Sequence, residues 1–487
     1  MRVEDLHKNF VKICGSKFVS DDPEVLESYS KDLSFVEGKV PSFIIWPRKA
    51  KQVEKILKLA NSLGFSVIPI SSSSHIHYHG DTVPQKSNTV IVNLSKMNKI
   101  LNIDRKNRVI MVEPGVVFGQ LIPILQKKGL RVLLPLHPRK DKSVLTAALE
   151  RVPVTIPRYQ WDSSDPLLCT EVIFGTGDLF RTGTAAGPGS LKQQKKSGQA
   201  QANPMGPTQF SPFRLIQGAQ GSLGIVTWAT LKLELLPSIQ KVVHLQSDNL
   251  QDLLKLQQLL LKYRLTNELL ILNNINLACL IRQLPEDIKE LSKKLTNWNL
   301  IYILGGRGEL ANDKIFYQEG DIDDIITDLK LNHLKKESPI TDKEIINALN
   351  NSTTHPWRKR LTNDFQDIFF ITNFEKISKY ISLVDHEIQE NLGIYIQAIN
   401  QGTSYHCEFD IYYDHQDPKA VKEVRAKFLS LSVKLMDEGA FFNRPYGLWA
   451  KEVYKRHQDS TQSALKKVKK IFDPNDVLNP GILCFDG

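Results

Sequence analysis

A chain of 487 residues exceeds what one hydrophobic core fills and suits two domains of ordinary size. Hydrophobic residues make up 41% and charged residues 24%, the balance of a globular protein rather than a disordered or fibrous one. The formal net charge of +10 sits partly in local runs at 192–196 and 466–470, which read as solvated faces or acidic-partner surfaces and argue against nucleic acid.

No apolar run approaches the 18 or so residues of a membrane-crossing helix, and acidic residues interrupt the N-terminal MRVEDLHKNFVKI before any signal-peptide core forms. The five cysteines, Cys14, Cys169, Cys279, Cys407 and Cys484, are an odd number, widely spaced and without a CxxC pair. They fit neither a disulfide framework nor an iron–sulfur or zinc-finger site, so a cytoplasmic protein is expected.

In chain order, FIIW (43–46) predicts a strand, and Val53, Ile56, Leu57 and Ala60 follow at helical spacing until Gly64. FSVIPI (65–70) is a second strand, completing a βαβ unit. The loop SSSSHIHYHGDTVP (71–84) leads to TVIVNL (89–94) and RVIMVEPGV (108–116), two more strands, and a helix over 118–128 closes at Gly129. The stretch 183–212, rich in Gly, Pro, Gln, Ser and Lys, predicts an exposed loop without core residues. After Pro237 the pattern restarts with helices over 253–261, 285–295 and 421–435 and a strand at 302–306. The tail 465–483 reads as an amphipathic helix followed by turns.

Two loops carry ligand-binding character. The small residues of 71–84 follow a buried strand, where backbone N–H groups can converge on an anion. In QGAQGSLGIVTWATLKLEL (217–235), Gly218, Gly221 and Gly224 at three-residue spacing let backbone approach a ligand closely before a β-rich run.

Joined to IIWPRKAKQVEKILKLANSLGFSVIPI, VIVNLSKMNKILNID, VEPGV and the terminal FDPNDVLNPG, these loops resemble, in order, the flavin domain of the vanillyl-alcohol oxidase and p-cresol methylhydroxylase (PCMH) superfamily, in its glycolate oxidase and D-lactate dehydrogenase branch. The resemblance spans 40–237 and 472–481. It implies an α+β fold with a two-part PCMH-type FAD-binding domain (1–237), an α+β cap or substrate domain (238–440) and a C-terminal segment returning to the FAD domain (441–487).

The resemblance further implies that Ser72, Ser73, Ser74, His75, Ile76, His77, Gly80 and Asp81 hold the FAD pyrophosphate through main-chain N–H groups, and that Gly218, Gly221, Gly224, Ile225 and Val226 line the adenine and isoalloxazine side. Asn479 belongs to the terminal motif. The family's second glycine-rich stretch has become SVLTAALERVPVTIPRYQW (143–161), which leaves Pro135, Ser143 and Thr146 as its flavin contacts. Relatives that attach FAD covalently use a histidine where Ile76 stands, so non-covalent FAD is expected.

Metal-dependent members of the branch carry a Gly-Asp-Gly-Asn-x-His element and a later Glu-His-Gly. Here INQGTSYHCEFDI (399–411) keeps only His406 and GAFFNRPYGLW (439–449) keeps none, so no metal is expected. Arg444 is the natural replacement as a two-point carboxylate anchor, with Tyr446 to orient or deprotonate a hydroxyl; a surface turn around Pro445 is the bland alternative for both. His406 is the candidate base, on a strand whose Cys407, Phe409 and Ile411 face the other way. His355 and Arg358 in THPWRKR are further substrate candidates, although a helix N-terminus after Thr354 explains them equally.

The chemistry implied is oxidation of a hydroxylated carbon, first of a 2-hydroxy acid, with hydride passing to flavin and electrons to a separate acceptor such as an iron–sulfur or electron-transfer flavoprotein. A phenolic or aryl-alkyl alcohol is the alternative substrate, and a flavin-binding structural subunit in a homo- or hetero-oligomer is the alternative role.

Overall fold

The computed structural model describes residues 3–74, 77–158, 166–187, 189–197, 212–388 and 391–485. Its fold is α+β, built on three sheets. The first orders Val19–Ser20, Phe43–Ile45, Thr89–Asn93 and Ser66–Ile70, parallel except at the short first strand. Phe43, Ile45, Val67, Val90 and Val92 pack on Val53, Ile56, Leu57 and Ala60 of helix Ala50–Leu63. That helix stops where Gly64 turns left-handed at φ 73°.

The second sheet is antiparallel and orders Ile100–Asp104, Val109–Val112, Gly224–Leu235, Leu167–Phe174 and Leu179–Arg181, with Leu130–Val132 paired to the far end of the 224–235 strand. The third, also antiparallel, orders Ile239–Ser247, Trp298–Gly306, Leu269–Asn273, Leu392–Ile399, Ser404–Tyr413 and Asp364–Thr372. Helices Leu250–Lys262, Ile377–Glu387 and Pro418–Asp437 bury its one face with Cys407, Phe409 and Ile411. Helices Asn274–Ile281, Pro285–Lys294 and Asp342–Asn350 cover part of the other.

After helix Asp459–Phe472 the chain returns to the first sheet, where Val67 N–H donates to Val477 O (2.7 Å) and Asn479 N–H donates to Val67 O (2.9 Å). No helix among the described residues is long and apolar enough to cross a membrane. All five cysteines are buried and none is in a disulfide.

Two local expectations are corrected. The described part of 183–212 is not an open loop: Gly183–Ala186 forms a 3-10 turn, Ala185 packs with Met111, Cys169 and Trp228, and helix Leu191–Ser197 follows. Small residues there permit close packing on the sheet. The turn Trp357–Lys359 starts at Pro356, which has no side chain to cap it, rather than at Thr354, and Thr353 donates its hydroxyl to His355 O at 2.7 Å.

Candidate active site

Two cavities meet between the sheets. The first, about 780 Å³, runs between the 66–70 strand with its following loop and the 218–226 turn. Ser72, His77, Asp81, Thr146, Gly218, Gly221, Gly224, Ile225 and Val226 line it. Its turn is tight for a reason: a Cβ on Gly221 would stand 2.6 Å from Pro69 Cγ, and Gly221 has φ 72°. Gln220 follows Gly218 into the left-handed region at φ 51°, donates Nε2 to Pro445 O (3.2 Å) and leaves Oε1 buried in the slot without a partner. Glycine-bearing turns that let backbone approach a ligand, with a hydroxyl and an orphaned acceptor on the walls, suit the polar groups of a flavin nucleotide.

The remaining predicted cofactor residues are placed differently. Ser73 is exposed, and its N–H donates to Asp141 O (3.0 Å). Gly80 spends its N–H on Asp32 Oδ2 (2.7 Å), so that donor is not free for a phosphate. Ser74 does not line the slot, and His75 and Ile76 lie outside the described residues. Ser143 is a helix cap: its Oγ accepts from Thr146 N–H and donates to Pro114 O, while its own N–H donates to Ser72 Oγ. Pro135 lines the second cavity. Asn479 lies behind the slot, where Nδ2 donates to Asp81 O (2.8 Å) and Gln220 O (2.7 Å) and so ties the two loops together.

The second cavity, about 1140 Å³, opens from the first through the shared residues His77, Asp81 and Glu150. Its floor is one face of the third sheet: Phe365, Asp367 and Phe369 alternate along one strand, and register puts Asp410 opposite Asp367 and Glu408 opposite Phe369. Tyr78 packs on Phe365 (5.2 Å between rings), and Phe118, Trp357 and Tyr395 add apolar wall.

Arg358 salt-bridges both Glu408 and Asp410. Burial alone would raise the Glu408 carboxyl, but Arg358 and then His406 hold it down to about 2. Asp410 is pushed up by burial despite Arg358, and Asn276 Nδ2 donates to its Oδ2 (2.7 Å). Gly393 makes that bond feasible, since a Cβ there would meet Asn276 Oδ1 at 1.9 Å.

Arg444 and Tyr446 are not a surface turn; they are 7% and 4% exposed. Arg444 lies 4.0 Å over the Phe369 ring, lines the cavity and, among the described residues, has no carboxylate within salt-bridge distance. Burial holds the Tyr446 phenol well above its ordinary value, so it stays protonated and can donate but not serve as a base. Arg358 lines the cavity, whereas His355 is exposed and outside it. His406 is 1% exposed, bonded to Glu408 (3.1 Å), pushed down by burial, and does not reach the cavity wall.

The cavity instead presents His79 and Asp367, which sequence reasoning missed. His79 Nε2 lies 3.1 Å from Asp367 Oδ2, and the ring stacks on Tyr446 at 4.8 Å and 13°. Burial works against its charge, but Asp367 outweighs it and the imidazole is raised. The one available signal was an aspartate inside the apolar strand FQDIFF, where an unpaired carboxylate is rare without a purpose.

With slot and cavity contiguous, the class is that of a flavin enzyme. The pattern described as "FAD binding domain" matches residues 41–154. The chain is 23% identical to the 4-cresol dehydrogenase [hydroxylating] flavoprotein subunit of Pseudomonas putida, over 97% of this chain and 94% of that one. It is 25% identical to a glycolate oxidase subunit of Bacillus subtilis (strain 168), over 50% of this chain and 47% of that one. The crystal structure of p-cresol methylhydroxylase with substrate bound superposes with a TM-score of 0.80 at 19% identity, covering 99% of this chain and 97% of that one. The chain is similar to the PCMH-type FAD flavoproteins, and with its FAD-binding domain match it is an FAD-linked oxidoreductase.

Proposed function

We propose that the protein oxidises the hydroxylated carbon of an aryl substrate that also bears an anionic oxygen, a phenolate or a carboxylate. The observation that carries this is Arg444, a buried guanidinium without an acid partner among the described residues, in an aromatic-walled cavity. Such a charge is costly until a ligand anion pairs with it. A small 2-hydroxy acid would satisfy Arg444 but make no use of the aromatic wall of Phe118, Trp357, Phe365 and Phe369.

Ser72, Thr146, Gly218, Gln220, Gly221 and Ile225 would hold FAD, which supplies a two-electron acceptor for hydride. We take it to be bound non-covalently. Arg444 binds and orients the substrate anion, the aromatic walls exclude water, and protonated Tyr446 supports Arg444 from the side facing the slot. The similar 4-cresol dehydrogenase chain is named a flavoprotein subunit, which supports a separate redox protein as acceptor.

The test is anaerobic bleaching of the FAD-loaded protein by 4-hydroxybenzyl alcohol, mandelate, benzyl alcohol and D-lactate. The first two should reduce the flavin faster than the last two. Faster reduction by lactate would refute the aryl reading, and flavin left on the denatured chain would refute non-covalent binding.

A further inference from the structure

We propose that Asp367 takes up the substrate's hydroxyl proton and that His79 is the positioning residue that aims it; this rests on the function proposed above. Asp367 is 8% exposed and lines the substrate cavity. Its Oδ2 is engaged by His79, while Oδ1 is buried without a hydrogen-bond partner. A carboxylate oxygen in that state is expensive, and a donor brought by a ligand relieves the cost.

The other carboxylates of this wall are committed. Glu408 is held by Arg358 and His406, and Asp410 by Arg358 and Asn276. Asp367 has Phe365 two residues before it and Phe369, which carries Arg444, two residues after, all on one face. Two residues of strand advance roughly 7 Å, about the length of one substituted ring. An aryl group anchored by its anion at Arg444 and lying along this face therefore brings its hydroxylated carbon to Asp367.

His79 is fixed on three sides: by Asp367, by the stack on Tyr446 and by its edge against Phe369 at 5.3 Å. It belongs to the loop that also contributes Ser72 and Asp81 to the flavin slot, so the aim of Asp367 is referenced to the cofactor. In the reaction the O–H proton moves to Asp367 Oδ1, the C–H hydrogen leaves with its bonding pair to FAD, and the carbon–oxygen bond becomes double. No reactant beyond FAD is needed.

The experiment compares wild type with Asp367→Asn, which keeps the shape but cannot accept a proton, and with Asp367→Glu. Phenol, which lacks an oxidisable carbon, serves as the binding probe. Asp367→Asn should bind FAD and phenol within about threefold of wild type yet reduce its flavin with 4-hydroxybenzyl alcohol at least about 100-fold more slowly. Asp367→Glu should recover part of that rate. Without any substrate, the His79 imidazole, followed by NMR and assigned by its absence in His79→Gln, should titrate at lower pH in Asp367→Asn. Reduction within threefold of wild type, or an unmoved His79 titration, would overturn the assignment. A wild-type flavin that no aryl alcohol bleaches would instead remove the functional reading and the base role together.

Discussion

Replacing Arg444 tests the anchor most directly. Lysine keeps the charge but loses the planar two-point grip and much of the stacking over Phe369, 4.0 Å away. The site is 7% exposed, so hydrogen bonds there compete little with water, and losing one charge-assisted bond costs about 1.4 to 2.7 kcal/mol in transition-state binding. Arg444→Lys should therefore lower kcat/KM for 4-hydroxybenzyl alcohol about 10- to 100-fold. Arg444→Met should lower it further, while turnover of benzyl alcohol, which has no anion, stays within about threefold. The same structure sets an opposite expectation for stability. A buried guanidinium without an acid partner is a net cost to the fold, so the substrate-free Met variant should unfold in urea no earlier than wild type. Stopped-flow flavin reduction and urea titration read the two effects. Equal losses on anionic and neutral substrates, or a destabilised Met variant, would refute the reasoning and make Arg444 a structural residue.

Two further outcomes follow from buried titrating groups. Asp81 lines both cavities, and burial, then Glu150, raise its carboxyl to about 6, against the pull of His79. Below that pH it is neutral beside the slot and above it repels the FAD phosphates, so the Kd for FAD should rise between pH 5 and 7.5, and Asp81→Asn should abolish that slope. His137 is pushed down from 6.5 to about 4 by burial and then by Arg360, with its Nδ1 against Ala348 O (3.1 Å). The unfolded chain thus takes a proton before the folded one, and the stability present above pH 6.5 is lost as pH falls towards 4. The difference is worth about 3 kcal/mol, so His137→Asn should lose correspondingly less stability over that range in urea titrations.

Periodicity alone made much of the framework legible. The βαβ unit with Gly64 at its helix end and the alternation that sends Cys407, Phe409 and Ile411 into the core follow from local pattern, whereas the helix expected to close at Gly129 ends at Gln126 and leaves Gly129, at φ 64°, to turn the chain into the next strand. The site was less legible because its chemistry depends on partners far away in sequence. Gly80 loses its N–H to an aspartate 48 residues earlier, which no loop motif records. His406 stands out in the sequence and His79 does not, yet the sheet sends His406 to Glu408 behind the wall, while the loop sets His79 against Asp367, 288 residues away. For Arg444 the sequence offers an anion anchor and, as the alternative, a surface turn beside Pro445, and only the packing of Phe369 and Tyr446 buries it.

The serine-rich loop poses a physical question of its own, since serines at 72–74 give the backbone less freedom than glycines would. The structure answers it with side-chain hydrogen bonds and a returning tail. Ser72 Oγ receives the N–H of Ser143, and Ser73 N–H reaches Asp141 O, so the loop is tied to the segment behind it. From the other side, Asn479 bonds a carbonyl of each flavin loop, and the buried Lys469 donates to Ser222 O, Leu478 O and Asp473 Oδ2, all at 2.6 to 2.7 Å. Each of those carbonyls thereby gains a side-chain donor from the tail. The loop is therefore held from outside itself, by residues 141–143 on one side and 469–479 on the other. That is why a loop poor in glycine can still border an open slot, and why the stack of His79 on Tyr446 can hold the second cavity in register with it.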